Sequence, residues 1–117
     1  MKNFPSLRSN ADFQRVYKKG KSYANKTLVM YVYGNELDYN RIGISVSKKN
    51  GNSVVRHTFA RKLREIFRLN KIEKKGLDII VVVRVGADVG DYHKLENAYL
   101  HLLKSHRLDR ENVEENK

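Results

Sequence analysis

Apolar residues recur at intervals of three and four in three segments of the chain, which is the spacing of one helix face. Two of these segments carry clear boundary signals. Ser9 precedes the first and Gly20 follows it, while Asn52 or Ser53 can cap the second. We therefore predict helix 1 at 10–19, helix 2 at 53–69 and helix 3 at 91–108.

Three other segments have the alternating or continuous apolar pattern of β-strands. We predict strands at 22–33, 41–47 and 78–84, with 34–40 as a polar connection long enough for a loose hairpin. The last strand, DIIVVVR, is apolar without alternation, which is typical of a central strand covered on both faces. The order of elements is a helix, two or three strands, a helix, a strand and a helix. This order predicts a two-layer α+β sandwich, with helices packed on one small mixed sheet.

Helix 2 has two distinct faces on a helical wheel. Its apolar arc, which should pack on the sheet, consists of Val55, Phe59, Leu63, Ile66 and Phe67. The adjoining basic arc, which should face outward, consists of Arg56, His57, Arg61, Arg64 and Arg68. A rigid basic face of this kind suits a polyanion better than a small substrate.

The overall charge supports a nucleic-acid partner. The chain has 117 residues, about the length of one domain, and a net charge of +11 at pH 7. The last segment has four acids and two bases, so we predict one domain at 1–108 and a disordered acidic tail at 109–117. Charge this far from zero opposes compaction unless a partner neutralises it, and nucleic acid is the usual partner.

The sequence also bears on location. There is no cysteine, which excludes disulfides and fits a reducing cytoplasm. The N-terminal residues MKNFPSLRSN lack the apolar core of a signal peptide, and the longest apolar run, 79–83, is too short to cross a bilayer. We predict a cytoplasmic protein that has no membrane partner.

No group of residues has the pattern of a catalytic or metal site. The acids form no pair on one firm helix, and the four histidines lack the spacing of a zinc helix. Ser45 and Ser47 have no adjacent base, and the turn at Gly51 lacks the second glycine and Lys-Ser/Thr of a phosphate loop. We therefore predict no catalytic residue and no metal ligand on the protein.

Aromatic residues indicate RNA binding instead. Phe13 and Tyr17 share a helix face, and Tyr31 and Tyr33 share a strand face. Aromatic rings beside arginine and lysine offer stacking platforms for unpaired bases and charge for their backbone. The small residues on one face of the strand at 41–47 would let a ligand backbone approach closely. A purely structural role for Phe13 in the core is the alternative.

Residues 49–64, KNGNSVVRHTFARKLR, resemble the signature of the protein subunit of bacterial ribonuclease P. The matching positions are Lys49, Gly51, Asn52, Ser53, Val54, Arg56, Arg61 and Arg64. His57, Thr58 and Ala60 depart from the family pattern, which usually has Asn, Arg and Lys there, and Lys62 is expected to restore part of the lost charge. Residues 10–25 and 41–49 resemble other segments of the family in the same order and at the same distances.

The resemblance implies a ribonucleoprotein enzyme that removes the 5′ leader from precursor tRNA. The RNA subunit would perform the hydrolysis, with magnesium ions that are bound mainly by the RNA. The protein would bind the leader and help metal binding. The partners implied are the ribonuclease P RNA subunit and precursor tRNA, with no DNA. The implied fold is like that of ribosomal protein S5 domain 2, with a left-handed crossover from 41–47 through helix 2 to 78–84, where general rules favour a right-handed one.

The family's two binding surfaces can be carried over by position. The resemblance implies that the leader lies in a cleft lined by Phe13, Tyr17, Tyr31, Ser45, Lys49 and Arg56. It implies that the catalytic RNA is bound by Lys48, Asn52, His57, Arg61, Arg64 and Arg68.

Three rival functions share some of these features. A non-catalytic RNA-binding module, such as a ribosomal or assembly protein, has the same charge and fold class and differs only in the motif. A DNA-binding protein would use helix 2 as a reader, but no preceding helix completes a helix-turn-helix. A protein nuclease is disfavoured because the acids and histidines of the chain do not have the spacing of a catalytic site.

Overall fold

The computed structural model describes residues 6–109, which form three α-helices and four β-strands. In chain order they are α1 Asn10–Lys19, β1 Lys21–Ala24, β2 Leu28–Gly34, β3 Arg41–Val46, α2 Ser53–Leu69, β4 Leu77–Val83 and α3 Tyr92–Ser105. The predicted bounds of helices 1 and 2 are confirmed. The division at residue 108 stays a prediction, and the predicted acidic tail lies outside the described residues apart from its first residue.

The third helix is shorter than predicted because the chain leaves the helical conformation at an arginine. It ends at Ser105 rather than Leu108, and Arg107 has a φ of 61°. The N–H of Arg107 donates to the carbonyl of Lys104 and that of Leu108 to Leu103, which is the Schellman pattern of a helix end. Glycine usually occupies this left-handed position, so the sequence carried no stop signal there.

The segment predicted as strand at 22–33 contains two antiparallel strands, so three strands precede α2, the larger of the two numbers that the sequence left open. A tight turn separates β1 from β2, and the side-chain oxygen of Asn25 accepts from the N–H groups of Thr27 and Leu28 at 3.0 and 2.9 Å. Asparagine favours such turns because its side chain replaces a backbone acceptor.

The hairpin predicted at 34–40, which joins β2 to β3, is wrong. The strand order is β1-β2-β4-β3, so β4 lies between β2 and β3. The segment between β2 and β3 passes the beginning of β4. There the N–H of Asn35 donates to the carbonyl of Gly76, and the Asn40 side chain donates to the carbonyl of Lys74 and accepts from the N–H of Leu77. The sheet is mixed, since β3 pairs with β4 in parallel and the other pairs are antiparallel.

The prediction that the last strand is central and covered on both faces is confirmed. On one face, α2 and α3 pack against alternate residues such as Ile79 and Val81, together with the buried Phe59 of α2. On the other face, Ile80 packs against Val16 of α1. The α+β fold on a small mixed sheet is therefore confirmed, with α2 and α3 as the helix layer and α1 on the opposite face. β3 and β4 are adjacent, parallel and joined by α2, as the implied crossover requires.

A buried carboxylate joins α1 to the sheet. Asp78, at the start of β4, has a relative exposure of 0 %. Its two oxygens accept from Nε and Nη2 of Arg41, each at 2.8 Å, and one also accepts from Asn35 Nδ2 at 2.9 Å. This fork-to-fork geometry is the strong form of an arginine–carboxylate pair, and it raises the pKa of Arg41.

The same charge network continues into α1. Arg15 Nη2 lies 3.9 Å from Asp78 and 2.6 Å from Asp12, and Arg41 Nη1 lies 3.6 Å from Asp12. The hydrogen bond from Arg15 lowers the pKa of the Asp12 carboxyl. Two acids and two arginines thus alternate across the contact between α1 and the end of the sheet.

We expect Arg41→Ala to reduce the free energy of unfolding by about 3–5 kcal/mol, because it leaves the buried charge of Asp78 poorly compensated. Urea denaturation of the purified protein measures this. Arg68→Ala is the matched control, since it breaks an exposed arginine–carboxylate pair and should cost much less. Equal losses for the two variants would contradict the structural role assigned to Asp78.

Candidate nucleic-acid interface

A row of half-covered side chains crosses the sheet beside α1. Ala24, Val29, Val82 and Ser45 are successive register partners across β1, β2, β4 and β3. They alternate with the core residues of their strands, so they lie on the face that α1 contacts. None of the four is fully buried. This row and the side of α1 next to it form an open surface that we call the groove.

Aromatic residues line the α1 side of the groove. The rings of Phe13 and Tyr17 are 6.2 Å apart, and that of Tyr17 meets the ring of Tyr31 edge-on at 4.9 Å. All three side chains are only partly buried. The sequence-predicted aromatic residues are therefore together, and Phe13 both packs against the sheet and keeps an exposed part.

A glycine allows this close packing. A Cβ atom on Gly43 of β3 would lie 2.8 Å from Cζ of Phe13 and 3.0 Å from Cδ1 of Leu7. A larger residue would require the Phe13 ring and the Leu7 side chain to move. The small residues predicted on this face of β3 thus have two roles. Gly43 leaves space for an aromatic ring of α1, and the short side chain of Ser45 leaves the groove open above it.

Predicted cations lie at the β3 end of the groove. After β3, a short 3₁₀ turn at Lys48–Asn50 is capped by Ser47, whose Oγ accepts from Lys49 N–H at 3.3 Å. Lys48 and Lys49 are exposed. Arg56 is partly buried, and its Nε donates to the carbonyl of Gly51 at 3.3 Å. Ser45 lies about 10 Å across the strands from Tyr31, Lys49 follows the end of β3, and Arg56 is joined to the turn that starts α2. That Lys49 and Arg56 line the groove stays a prediction.

The turn into α2 depends on a second glycine. Gly51 has a φ of 139°, and a Cβ atom there would lie 2.9 Å from Val55. The next residue, Asn52, caps the helix by accepting from Val55 N–H at 3.0 Å. The Gly-Asn pair of the motif thus fixes where α2 begins and how it leaves the groove.

The basic face of α2 is exposed, as the wheel predicted, although its cations differ in their surroundings. His57 and Arg61 are exposed and Arg64 is partly buried. Arg68 is exposed but paired with Glu65, through bonds of 3.2 and 2.6 Å that lower the pKa of the Glu65 carboxyl. Arg68 also lies about 24 Å along the helix from the N-terminal cap, so it is remote from the rest of the motif.

Two motif positions have internal partners. The hydroxyl of Thr58 donates to the carbonyl of Val54 at 2.8 Å. The ammonium group of Lys62 donates to the carbonyl of Val89 at 2.6 Å and is partly buried. Lys62 keeps its charge, because a hydrogen bond to a neutral carbonyl does not neutralise an ammonium group, and it also holds the loop before α3. The expectation that Lys62 restores part of the lost charge stays a prediction.

Sequence reasoning missed several residues of these surfaces. Val54 is 71 % exposed, and with His57 and Arg61 it lines a shallow depression of about 420 Å³. The groove floor was missed where it crosses β2 and β4, at Val29 and Val82. Their alternation was visible in the sequence, but the pairing of β2 with β4 was not.

Across residues 6–109, no three His, Asp or Glu side chains are grouped closely enough to hold a metal ion. No helix in that range is long and apolar enough to span a bilayer.

Comparisons with known proteins agree with this geometry. A ribonuclease P protein component from Lachnoclostridium phytofermentans is 54 % identical over 104 residues, covering 88 % of this chain and 90 % of that protein. One from Alkaliphilus metalliredigens is 44 % identical over 109 residues, covering 92 % and 98 %.

Solved structures extend the similarity to the fold. The RNase P protein of Staphylococcus aureus matches with a TM-score of 0.82 and 42 % identity over 91 % of this chain and 98 % of that one. The RNase P protein of Thermotoga maritima matches with a TM-score of 0.76 and 37 % identity over 86 % and 96 %. The sequence profile of the Ribonuclease P family matches residues 1–107, and the chain therefore belongs to the ribonuclease P protein family.

Proposed function

We propose that this chain is the protein subunit of the ribonuclease P ribonucleoprotein, which removes the 5′ leader of precursor tRNA in the cytoplasm. In this proposal, the groove beside α1 binds the single-stranded leader, and the exposed face of α2 binds the catalytic RNA. The observation that carries it is the presence of two different surfaces that meet at one turn, residues 47–52, in a chain of the ribonuclease P family.

The groove has the chemistry that an unpaired RNA strand requires. Phe13, Tyr17 and Tyr31 present ring faces and edges on which bases can stack without regard to sequence. Ser45 offers a hydroxyl to phosphate or sugar oxygens, and Lys49 adds positive charge at the end nearest α2. A double helix has no exposed base faces, so this surface favours a single strand.

The α2 face has the chemistry of a phosphate-binding surface. His57, Arg61 and Arg64 follow one another at intervals of four and three, which places them along one stripe of the helix. The exposed Asn52 caps the N-terminus of the same helix, where the backbone dipole favours anions. Arginine forks suit folded RNA because they bind phosphate oxygens in pairs.

Catalysis would belong to the RNA subunit. Hydrolysis of the leader requires magnesium, and Mg²⁺ prefers octahedral oxygen ligands with several waters retained. RNA phosphates supply such oxygens, and a cationic helix face neutralises the phosphates that crowd around the ions. The protein's contribution is then to position the leader and to favour the RNA conformation that binds magnesium.

Cleavage of a leader-bearing precursor tRNA by a bacterial ribonuclease P RNA at low magnesium, with and without this protein, tests the proposal. We expect the protein to increase cleavage at the mature 5′ end, because it supplies leader affinity that the RNA lacks. RNA binding without any increase in cleavage would indicate a general RNA-binding module instead.

Tyr17→Ala should weaken binding of leader-bearing precursor tRNA to the reconstituted holoenzyme by roughly tenfold, since one stacked base contributes about 1–3 kcal/mol. Binding of mature tRNA should not change. Tyr39→Ala is the matched control, because Tyr39 is an exposed tyrosine in the loop between β2 and β3, outside the groove. Equal weakening for both tRNAs would contradict leader binding in the groove.

Arg61→Ala should weaken assembly with the RNA subunit and make it less dependent on salt. Losing one phosphate contact lowers the slope of log K against log salt by about 0.7–0.9. Filter binding of labelled RNA over a series of KCl concentrations measures this slope. Lys94→Ala, an exposed cation on α3, should leave it unchanged, and an unchanged slope for Arg61→Ala would show that its side chain does not contact phosphate.

A further inference from the structure

Arg84 lies on the opposite side of the groove from α1. It directly follows β4, where Asp78, Ile80 and Val82 alternate on the face that α1 contacts. Continuing that alternation places Arg84 on the same face, one step beyond the groove floor at Val82. The residue is exposed, and neither the family motif nor the predicted aromatic cluster includes it.

Hydrogen bonds fix the position of Arg84 on three sides. Its N–H donates to the carbonyl of Thr27 at 3.0 Å, and its own carbonyl accepts from Asn50 Nδ2 at 2.9 Å. Its Nη1 donates to the carbonyl of Asn25 at 2.8 Å. Asn25 is in turn held to α3, because its Nδ2 donates to the carbonyl of Ala98 at 3.0 Å.

These bonds orient the guanidinium group without neutralising it. All of its partners are backbone carbonyls or amides of neutral residues, and within residues 6–109 no carboxylate forms an ion pair with Arg84. Nη1 has one partner, which leaves Nε and Nη2 to donate to an incoming ligand. A fixed, charged fork on an exposed surface is preorganised for a phosphate group.

The groove therefore has two chemically different sides. Aromatic rings of Phe13 and Tyr17 lie on the α1 side, and the guanidinium of Arg84 lies on the other. About 13 Å of β4 separates Ile80, under α1, from Arg84, which an arginine side chain and one nucleotide can bridge. A strand whose bases stack towards α1 would turn its phosphates towards Arg84.

We propose that Arg84 binds a backbone phosphate of the RNA strand in the groove, and that Asn25 and Asn50 position it for this contact. The inference rests on the proposed function, since it requires the leader to occupy the groove. The inference adds to the proposed function a phosphate contact outside the signature motif. The β1–β2 turn and the 3₁₀ turn at Lys48–Asn50 then act together, because Arg84 is bonded to both.

The test compares Arg84→Gln and Arg84→Lys in the reconstituted holoenzyme. Arg84→Gln should lower affinity for leader-bearing precursor tRNA about tenfold, leave mature tRNA unchanged, and reduce the salt slope by about 0.7. Arg84→Lys keeps the charge and should recover the salt slope and most of the affinity. Lys94→Gln is the matched control, because it removes an exposed cation of α3 outside both surfaces.

A second measurement separates phosphate binding from support of the turns. Single methylphosphonate substitutions along the leader remove one phosphate charge at a time. One such substitution should weaken binding to the unmodified protein but add nothing to the defect of Arg84→Gln, because both changes remove the same contact. Additive effects at every leader position would overturn the proposal.

The remaining outcomes are also distinguishable. Unchanged affinity of Arg84→Gln, or equal loss for precursor and mature tRNA, would overturn the role of Arg84. If Tyr17→Ala still weakens leader binding selectively, the proposed function stands and only the arginine contact is rejected. If neither variant affects leader binding, leader binding in the groove is rejected together with this inference.

Discussion

The buried carboxylate of Asp78 is the constraint on which the rest of the structure depends. An ionised group with no exposure to water is stable only when paired, and its partners come from β3 and from the loop after β2. Arg15 extends the network into α1. Together with the packing of Val16 and Phe13 on the sheet, this network holds α1 at one end of the sheet, and the other end of the same face stays uncovered as the groove.

Central placement of β4 separates the groove from the exposed face of α2 while holding both on one rigid sheet. Its residues alternate between the core under α2 and α3 and the face of α1, so both sides are held by the same strand. The two surfaces meet at the turn where Gly51 and Asn52 start α2. A leader in the groove and an RNA subunit on α2 would therefore keep a constant relation to each other, as positioning of a scissile bond requires.

Helices with strong local signals could be predicted from the sequence, whereas strand pairing could not. Ser9 and Asn52 cap their helices through side-chain bonds to the backbone, and both boundaries were found. The prediction of a hairpin between β2 and β3 was wrong because the length of a loop does not show whether another strand lies between the two strands that it joins. Arg107 ends α3 in a conformation that favours glycine, so that boundary had no signal. The residue types of the groove could be predicted from the sequence. The row of residues that crosses the four strands could not, because it depends on the register of strand pairing.

The departures from the family motif change how charge is distributed on α2. Thr58 carries no charge and bonds its own helix backbone, whereas Lys62 keeps its charge but directs its ammonium to the loop before α3. Arg68 is partly neutralised by Glu65. Arg61 is exposed and has no carboxylate partner among residues 6–109, so under the proposed function it would supply a larger share of the attraction for RNA. Charge at the groove has a different origin, since it comes from turns held by asparagine side chains, and the two surfaces can therefore vary independently in sequence.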